Sequence, residues 1–565
     1  MLPVADGGVR PGPAAPARRD GSSWVIVAGV ACIAAITVIA YLPSLRGGFL
    51  IDDDLLLTDS PLIRAPDGVY RFWFTADAYD YWPVTNTSLW LEWRLWETRS
   101  TGYRVTNLAL HVIASLLVWR TLRRLSIPGG FLAALLFAVH PVNVESVAWI
   151  AQRKNLLAMV FLLLSTLAYL QSEARSRGLI DRWYWLSLAS FALAMLSKVS
   201  AAVLPPLLLG LIWWIRPLAR RDLIRAAPFC LLATGLIGVN LWFRAQTMEI
   251  ANSTLGPIAR LLGAAAAVWF YLGKAVWPLH LVFIYPRWQI QADHWQWWIP
   301  LLAALGVTGV LWRYRRSWSR GPLLAWGFFC VALVPMMGFT EQLVVADHYQ
   351  HVALIAVTAL FAAGWTRRHH TNQWMRHVGA MAIVAALAWL TWQQSARYAD
   401  SVTVLRTAAE EYPDSAMAHH NLGFALLKAD RLAEARGELE AALRIDPNYA
   451  EAHNNLGGIV ARAGEPEEAL RHFQAAVRLR PDYPAARNNL GSMLRETGRP
   501  QEAIEQLQIA LQLKPDFPQA QRNYGKALLQ VGRVPEAIEH LQLALRSNPD
   551  DREAREALAQ ALAHQ

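Results

Sequence analysis

Residues 24–54 read WVIVAGVACIAAITVIAYLPSLRGGFLIDDD. An uncharged apolar run over 24–45, long enough to cross a bilayer, gives way to one arginine, two glycines and then Phe49-Leu50-Ile51-Asp52-Asp53-Asp54. No small-residue cleavage site leading into a soluble domain follows it, so the run reads as a retained membrane helix and not a signal peptide. Three adjacent carboxylates at a membrane exit raise one another's pKa, and the bilayer offers them little solvation. They need a metal, a cationic substrate group, or a task that uses a basic carboxylate. The plain alternative is a solvated acidic start to a loop.

The rest of the chain supports the membrane reading. Of 565 residues 54% are hydrophobic and 26 are Trp, too apolar for an ordinary soluble protein. The formal charge of +10 does not point to nucleic acid, because the arginines fall in short clusters between apolar runs, where they set topology. Examples are Arg120, Arg123 and Arg124; Arg175, Arg177 and Arg182; Arg216, Arg220, Arg221 and Arg225; and Arg367 and Arg368. Cys32, Cys230 and Cys330 lie inside apolar segments with no metal-type spacing and form no disulfide framework.

The expected fold class is all-α. Residues 1–22, with Arg10, Arg18 and Arg19, read as a disordered cytoplasmic tail. Residues 23–395 form a polytopic domain of about eleven spans by apolar length, with 47–101 a large external loop. Its aromatics, Phe72, Trp73, Phe74, Tyr79, Tyr81, Trp82, Trp90, Trp93 and Trp96, suit a segment lying on the membrane surface. If 258–277 crossed, Arg313, Arg315 and Arg316 would fall outside, so that run is expected to be re-entrant or interfacial. An odd number of spans puts the two termini on opposite sides.

Residues 396–565 differ completely. Asn421-Leu422-Gly423, Asn455-Leu456-Gly457, Asn489-Leu490-Gly491 and Asn523-Tyr524-Gly525 recur every 34 residues, as do Pro447, Pro481, Pro515 and Pro549. This is the tetratricopeptide period, with Ala435, Ala469, Ala503 and Ala537 at the tight helix-packing position. Repeats over 416–449, 450–483, 484–517 and 518–551 and a capping helix near 553–563 are expected to stack into a solenoid outside the cytoplasm.

In this topology one external face collects Asp52, Asp53, Asp54, His140, Glu145, Arg153, Lys154, Lys198, Asp347 and His348. Ionisable groups at membrane depth are costly, so their gathering on one side reads as a site. Each has a duller reading: His140-Pro141 as a helix cap, Arg153 and Lys154 as snorkelling anchors. Lys198 stands alone between two apolar runs where positive charge is disfavoured, which calls for an anionic partner. Transfer from a phosphate-linked donor unites these groups. A carboxylate takes a proton from an acceptor hydroxyl, and lysine and arginine hold the leaving phosphate. If a divalent metal is used, Asp52, Asp53 or Glu145 suits Mg²⁺ or Mn²⁺. No Ser-His-Asp pattern, phosphate-cradling glycine loop or Cys/His metal spacing competes.

Several motifs then resemble a known family. Asp52-Asp53, Tyr81-Trp82-Pro83-Val84-Thr85, Tyr103 to Asn107 and His111, His140 to Val147, Gln152-Arg153-Lys154-Asn155, Leu196-Ser197-Lys198 and Ala346-Asp347-His348-Tyr349 occur in the order seen in the transmembrane and tetratricopeptide repeat-containing O-mannosyltransferases. The resemblance is nearest to bacterial proteins of that layout. It implies a GT-C fold in a bacterial inner membrane, a polyprenyl-phosphate sugar as donor, a non-cytoplasmic active site, and Asp52 and Asp53 as catalytic. Asp54 is a possible substitute and Glu145 a possible second carboxylate. Arg153, Lys154, Lys198 and His348 become donor-phosphate contacts, with Tyr81, His140, Asp347 and Tyr349 elsewhere in the pocket. Arg104 stands where a histidine is common, and Asp347-His348-Tyr349 replaces a more usual Asp-Arg-Tyr. Asn421, Asn455, Asn489 and Asn523 resemble the asparagine ladder of O-GlcNAc transferase, whose amides would hold an acceptor polypeptide by its backbone. The competing reading is a membrane-anchored tetratricopeptide scaffold for envelope or export assembly. A transporter fits less well, since the charges gather at one face and not at the midplane.

Overall fold

The computed structural model describes residues 23–78, 80–175, 179–247, 256–337, 345–367 and 372–564. The tail 1–22 and Tyr79, Arg177 and Arg368 lie outside these residues. The described residues form helices joined by loops, the longest of these over 277–294, with no strand among them.

Among the described residues six helices are long and apolar enough to cross a membrane: Trp24–Arg46, Ser100–Arg124, Ile150–Arg175, Arg220–Gln246, Pro257–Val276 and Gln373–Arg397. A seventh candidate is the pair Gly130–Ala138 and Pro141–Ala148, bent by 51° where Pro141 denies the helix a backbone donor. The apolar runs beside Lys198 become helices of 16 and 12 residues, Arg182–Ser197 and Leu204–Ile215. These, with Gly321–Met336 and Leu354–Thr366, are too short for the same length test. Pro257–Val276 is an unbroken helix of 20 residues with Leu262, Ala267, Val268 and Tyr271 on its buried face, which removes the re-entrant form of that segment.

The first loop is folded. Helices Pro61–Arg64, Gly68–Phe74 and Pro83–Trp96 turn Leu62, Ile63, Phe72 and Leu89 onto Tyr103, Ile150 and Phe243 of the membrane helices. Its aromatics divide accordingly: Trp73 Nε1 donates to Thr87 and Trp90 Nε1 to the Ala65 carbonyl, while Tyr70 and Phe74 stay exposed. This packing gives the loop a fixed floor beside the helix ends.

One apolar core runs from Ile33 and Leu136 through Tyr398, Val402 and Leu405 into the solenoid. There, pairs such as Ala450–Arg462 with Pro466–Leu479 and Pro484–Glu496 with Pro500–Leu513 follow one another, closed by Arg552–Ala563. Within each pair the first helix lies so close to the second that a side chain at Gly457 or Gly491 would meet Phe473 or Leu507 at 2.8 and 2.5 Å. Ala435, Ala469, Ala503 and Ala537 are fully buried at the same contact, as their period implies.

Candidate active site

The carboxylate triplet splits into three different environments. Asp53 is fully buried, its Oδ2 accepting from Leu50 N at 2.9 Å and its Oδ1 from Ala151 N at 2.7 Å. Burial pushes its carboxyl up to about 7, against the two backbone donors and Arg104. Both oxygens hold chain to chain, so Asp53 joins the first loop to the start of helix Arg153–Arg175 and is not placed to meet substrate. Asp54 turns the other way, toward Lys428 Nζ of the solenoid at 3.6 Å, while Thr58 Oγ1 donates to its Oδ1. Asp52 is exposed and, among the described residues, accepts no hydrogen bond. Protein packed around it still raises its carboxyl from the ordinary value, and Lys154 opposes the rise.

Two lysines face the same region. Lys154 Nζ lies 3.8 Å from the centre of the Trp82 ring, a cation–π contact on the folded loop. Lys198 is buried at the break after Arg182–Ser197, its Nζ donating to Asn155 Oδ1 at 2.6 Å and standing 5.5 Å from the Tyr349 ring. Burial and then the charge of Lys154 push its amine down to about 7, with Glu145 and Asp80 pulling the other way. Lys198, Asn155, His348, Tyr349 and His351 line one cavity, and both ring nitrogens of His351 lack a partner in it. The cavity is about 30 Å³, the size of one water, so a buried amine beside unmet hydrogen-bonding groups here suits a single polar oxygen of a ligand.

Other expected site residues are taken up by the fold. Arg153 is 1% exposed: its Nη2 donates to Glu92 Oε2 and the Tyr103 carbonyl, both at 2.9 Å, and its Nε to Asn107. Reaching a phosphate would break all three, so Arg153 is a brace. Asn107 Nδ2 donates in turn to the carbonyls of Val147 and Trp149. His140 caps its turn through Val142 N and reaches the Ala275 carbonyl at 3.0 Å, which is the duller of its two readings. Glu145 accepts from His348 N at 2.9 Å and lies as close to that ring's Nδ1. Burial and Lys198 hold the His348 ring well below its usual range, so it is neutral. Asp347 accepts from Tyr285 Oη at 2.9 Å. Tyr81 rests its ring on Phe243. Asp53 and Glu145 therefore have their oxygens engaged elsewhere, and among the described residues no group of three or more His, Cys, Asp or Glu forms a metal cage.

Asp80, Asn155, Glu92 and Trp82 stand among these groups without a role that the sequence alone assigns. Asp80 is buried, accepts from Tyr81 N and Asn240, and lies near Arg244 and Lys154. Its place directly before Tyr81-Trp82-Pro83 was the available signal.

In the solenoid the ladder amides bond to one another. Asn523 Nδ2 donates to Asn488 at 2.9 Å, Asn488 to Asn489 at 3.2 Å, Asn489 to Asn454 at 2.9 Å and Asn454 to Asn455 at 3.4 Å. Asn455 then meets His420 Nε2 at 3.1 Å, and His420 Nδ1 meets Asn421 at 3.2 Å. The four ladder positions thus belong to one polar chain that ties repeat to repeat.

A family model for dolichyl-phosphate-mannose-protein mannosyltransferase matches residues 81–243, and tetratricopeptide-repeat models match 414–482, 454–518 and 494–561. The chain is similar to protein O-mannosyl-transferase F38B6.6 of Caenorhabditis elegans, 24% identical over 447 residues, covering 74% of this chain and 62% of that protein. Protein O-mannosyl-transferase Tmtc1 of Drosophila melanogaster is 30% identical over 242 residues, 40% of this chain and 27% of that protein. Human protein O-mannosyl-transferase TMTC4 is 28% identical over 200 residues, 29% of this chain and 26% of that protein. The chain spans less than two thirds of the length of these relatives.

Proposed function

For a chain of the transmembrane and tetratricopeptide repeat-containing O-mannosyltransferase type, we propose a membrane glycosyltransferase that moves a sugar, mannose by the relatives' names, from a polyprenyl-phosphate donor to a Ser or Thr hydroxyl of a protein. The observation that carries this reading is the split of the triplet: Asp53 is buried and bonded to backbone, Asp54 is paired with Lys428, and Asp52 is exposed without a hydrogen bond, within the influence of the Lys154 charge.

Asp52 accepts the proton of the acceptor hydroxyl as its oxygen attacks the sugar's anomeric carbon. The bond from that carbon to the phosphate oxygen breaks, and the polyprenyl phosphate leaves with the electron pair. Lys198 and Lys154 stabilise the charge that grows on the phosphate, and Lys198 gains most because it is buried and its own charge is otherwise poorly supported. Asp53, Arg153 and Glu145 hold the three chain segments that bring these groups together. The acceptor lies along the solenoid, whose polar chain fixes the spacing of the repeats. The site and solenoid lie on the non-cytoplasmic face of the membrane.

The test is transfer of labelled mannose from polyprenyl phosphate to periplasmic proteins in nanodiscs, wild type against Asp52→Asn. Loss of about a thousandfold is expected if the carboxylate is the general base. Folded wild-type protein that moves no label from any polyprenyl-phosphate sugar would leave the scaffold reading in its place.

A further inference from the structure

We propose that the root of the solenoid is a working part of the active site, with Ser401 and Arg104 as positioning residues for the loop that carries Asp52. The proposal rests on Asp52 being the base.

Four contacts join the loop to the solenoid's first residues. Gly48 N donates to the Ala399 carbonyl at 2.7 Å, and Ile51 N, one residue before Asp52, donates to Ser401 Oγ at 3.1 Å. Arg104, 1% exposed, sends Nη1 to the carbonyls of Ser44 at 2.8 Å and Tyr398 at 3.1 Å, and Nη2 to that of Gly48. One guanidinium therefore clamps the end of the first membrane helix, the loop and the exit of the last helix. A side chain at Gly47 would sit 2.6 Å from this guanidinium, so it would have to displace the clamp. Asp54 and Lys428 add the fourth contact.

The backbone at the clamp is strained. Ile51 has φ +23°, a value a β-branched residue adopts only when its surroundings impose it. Ser401 Oγ holds the N–H of that residue, and Ser401 itself opens helix Ser401–Glu411, capped by Asp400. Without the hydroxyl, Ile51 can relax toward negative φ, and the rotation is passed directly to the carboxylate of Asp52. If the contacts only attached one domain to the other, losing one hydroxyl would leave chemistry alone. If they aim the base, the loss falls on the chemical step, since a misplacement of about 1 Å can cost a hundredfold in rate.

The experiment uses the full chain in nanodiscs, polyprenyl-phosphate mannose, and a Ser/Thr peptide too short to bridge the solenoid and the site. Ser401→Ala is expected to lower kcat about tenfold, leave the donor KM unchanged and displace the acid limb of the pH–rate profile. Ser401→Thr, which keeps the hydroxyl, restores both. Because a damaged fold could mimic the loss, Asp54→Lys and Lys428→Asp are measured singly and together, with recovery in the pair expected. Wild-type kcat and pH profile in Ser401→Ala, alongside inactive Asp52→Asn, would overturn the positioning role and leave the base assignment standing. Normal transfer by Asp52→Asn would remove the base assignment, and this proposal with it.

Discussion

The two halves of the molecule differ in the polar groups they leave without a partner. In the solenoid the amides from Asn523 to Asn421 run in one direction, each donor meeting the next acceptor, and His420 completes the chain as a neutral ring. Surface charges there are matched as well, Arg431 with Glu434 and Arg499 with Glu502 among them. In the membrane half, Asp52 accepts no hydrogen bond, His351 has two unpartnered nitrogens, and Lys198 has Asn155 as its hydrogen-bond partner. Satisfied polar groups hold a shape. Unsatisfied ones at membrane depth carry a cost that a bound ligand can remove. On the function proposed above, the contrast separates residues that build the protein from those that meet a substrate.

The largest effect that could break this comparison is the loss of transfer expected in Asp52→Asn. The next is at Lys198. Lys198→Met removes a charge-assisted contact to the donor phosphate and is expected to raise the donor KM by about tenfold or more. The pH dependence gives a sharper reading. The amine is held down to about 7, so its charge is lost as pH rises past that value, and the donor KM of the wild type climbs above about pH 7. In Lys198→Met that climb is absent. A methionine variant with the wild-type KM and the same alkaline rise would make Lys198 a builder, like Arg153.

Lys154 should sharpen the contrast by a smaller step. It lowers the Asp52 carboxyl against the effect of burial, so Lys154→Gln lets that carboxyl rise further. A base must be deprotonated to act, and the acid limb of kcat/KM therefore moves to higher pH in the variant. A limb that stays in place would separate Lys154 from the base.

How much of this was legible in the sequence follows from the range of the contacts. The solenoid was legible because its packing repeats every 34 residues, each glycine and alanine recurring where helices touch. The longer apolar helices were legible as apolar runs, whereas Pro141 bends one run and the break at Lys198 leaves helices too short for the same length test. The triplet and the lone lysine pointed to the region now proposed as the site. The division of labour inside it was hidden, because Asp53 is fixed by Ala151 and Asp54 by Lys428, partners far along the chain. Arg153 looked like a phosphate ligand because its partner Glu92 sits in a loop whose folding no local pattern announces. The ladder positions were visible as a period, but a period does not say whether an amide faces a peptide or its neighbour's amide.

The smallest expected effect tests the builder side. His420 accepts from Asn455 at Nε2 and donates to Asn421 at Nδ1, an arrangement open only to the neutral ring. Burial lowers its pKa from 6.5, outweighing the Asn421 contact. A histidine lowered in the folded state contributes stability that is present above its unfolded value and lost as pH falls below it. Protonation would set an N–H of the ring against an N–H of Asn455 and interrupt the chain between the first two repeats. Acidification below about pH 6.5 should therefore speed hydrogen exchange in helix Ala416–Lys428 more than in Pro484–Glu496, whose amides bond without a histidine. His420→Ala should lower the stability of the first repeat by about 1 kcal/mol and reduce this acid dependence without abolishing it, since burial also lowers His472 and His540. Transfer to a short peptide should keep its wild-type kcat. A fall in kcat comparable to that of Lys198→Met would mean that the polar chain is not architecture alone, and that the line between the two halves is drawn in the wrong place.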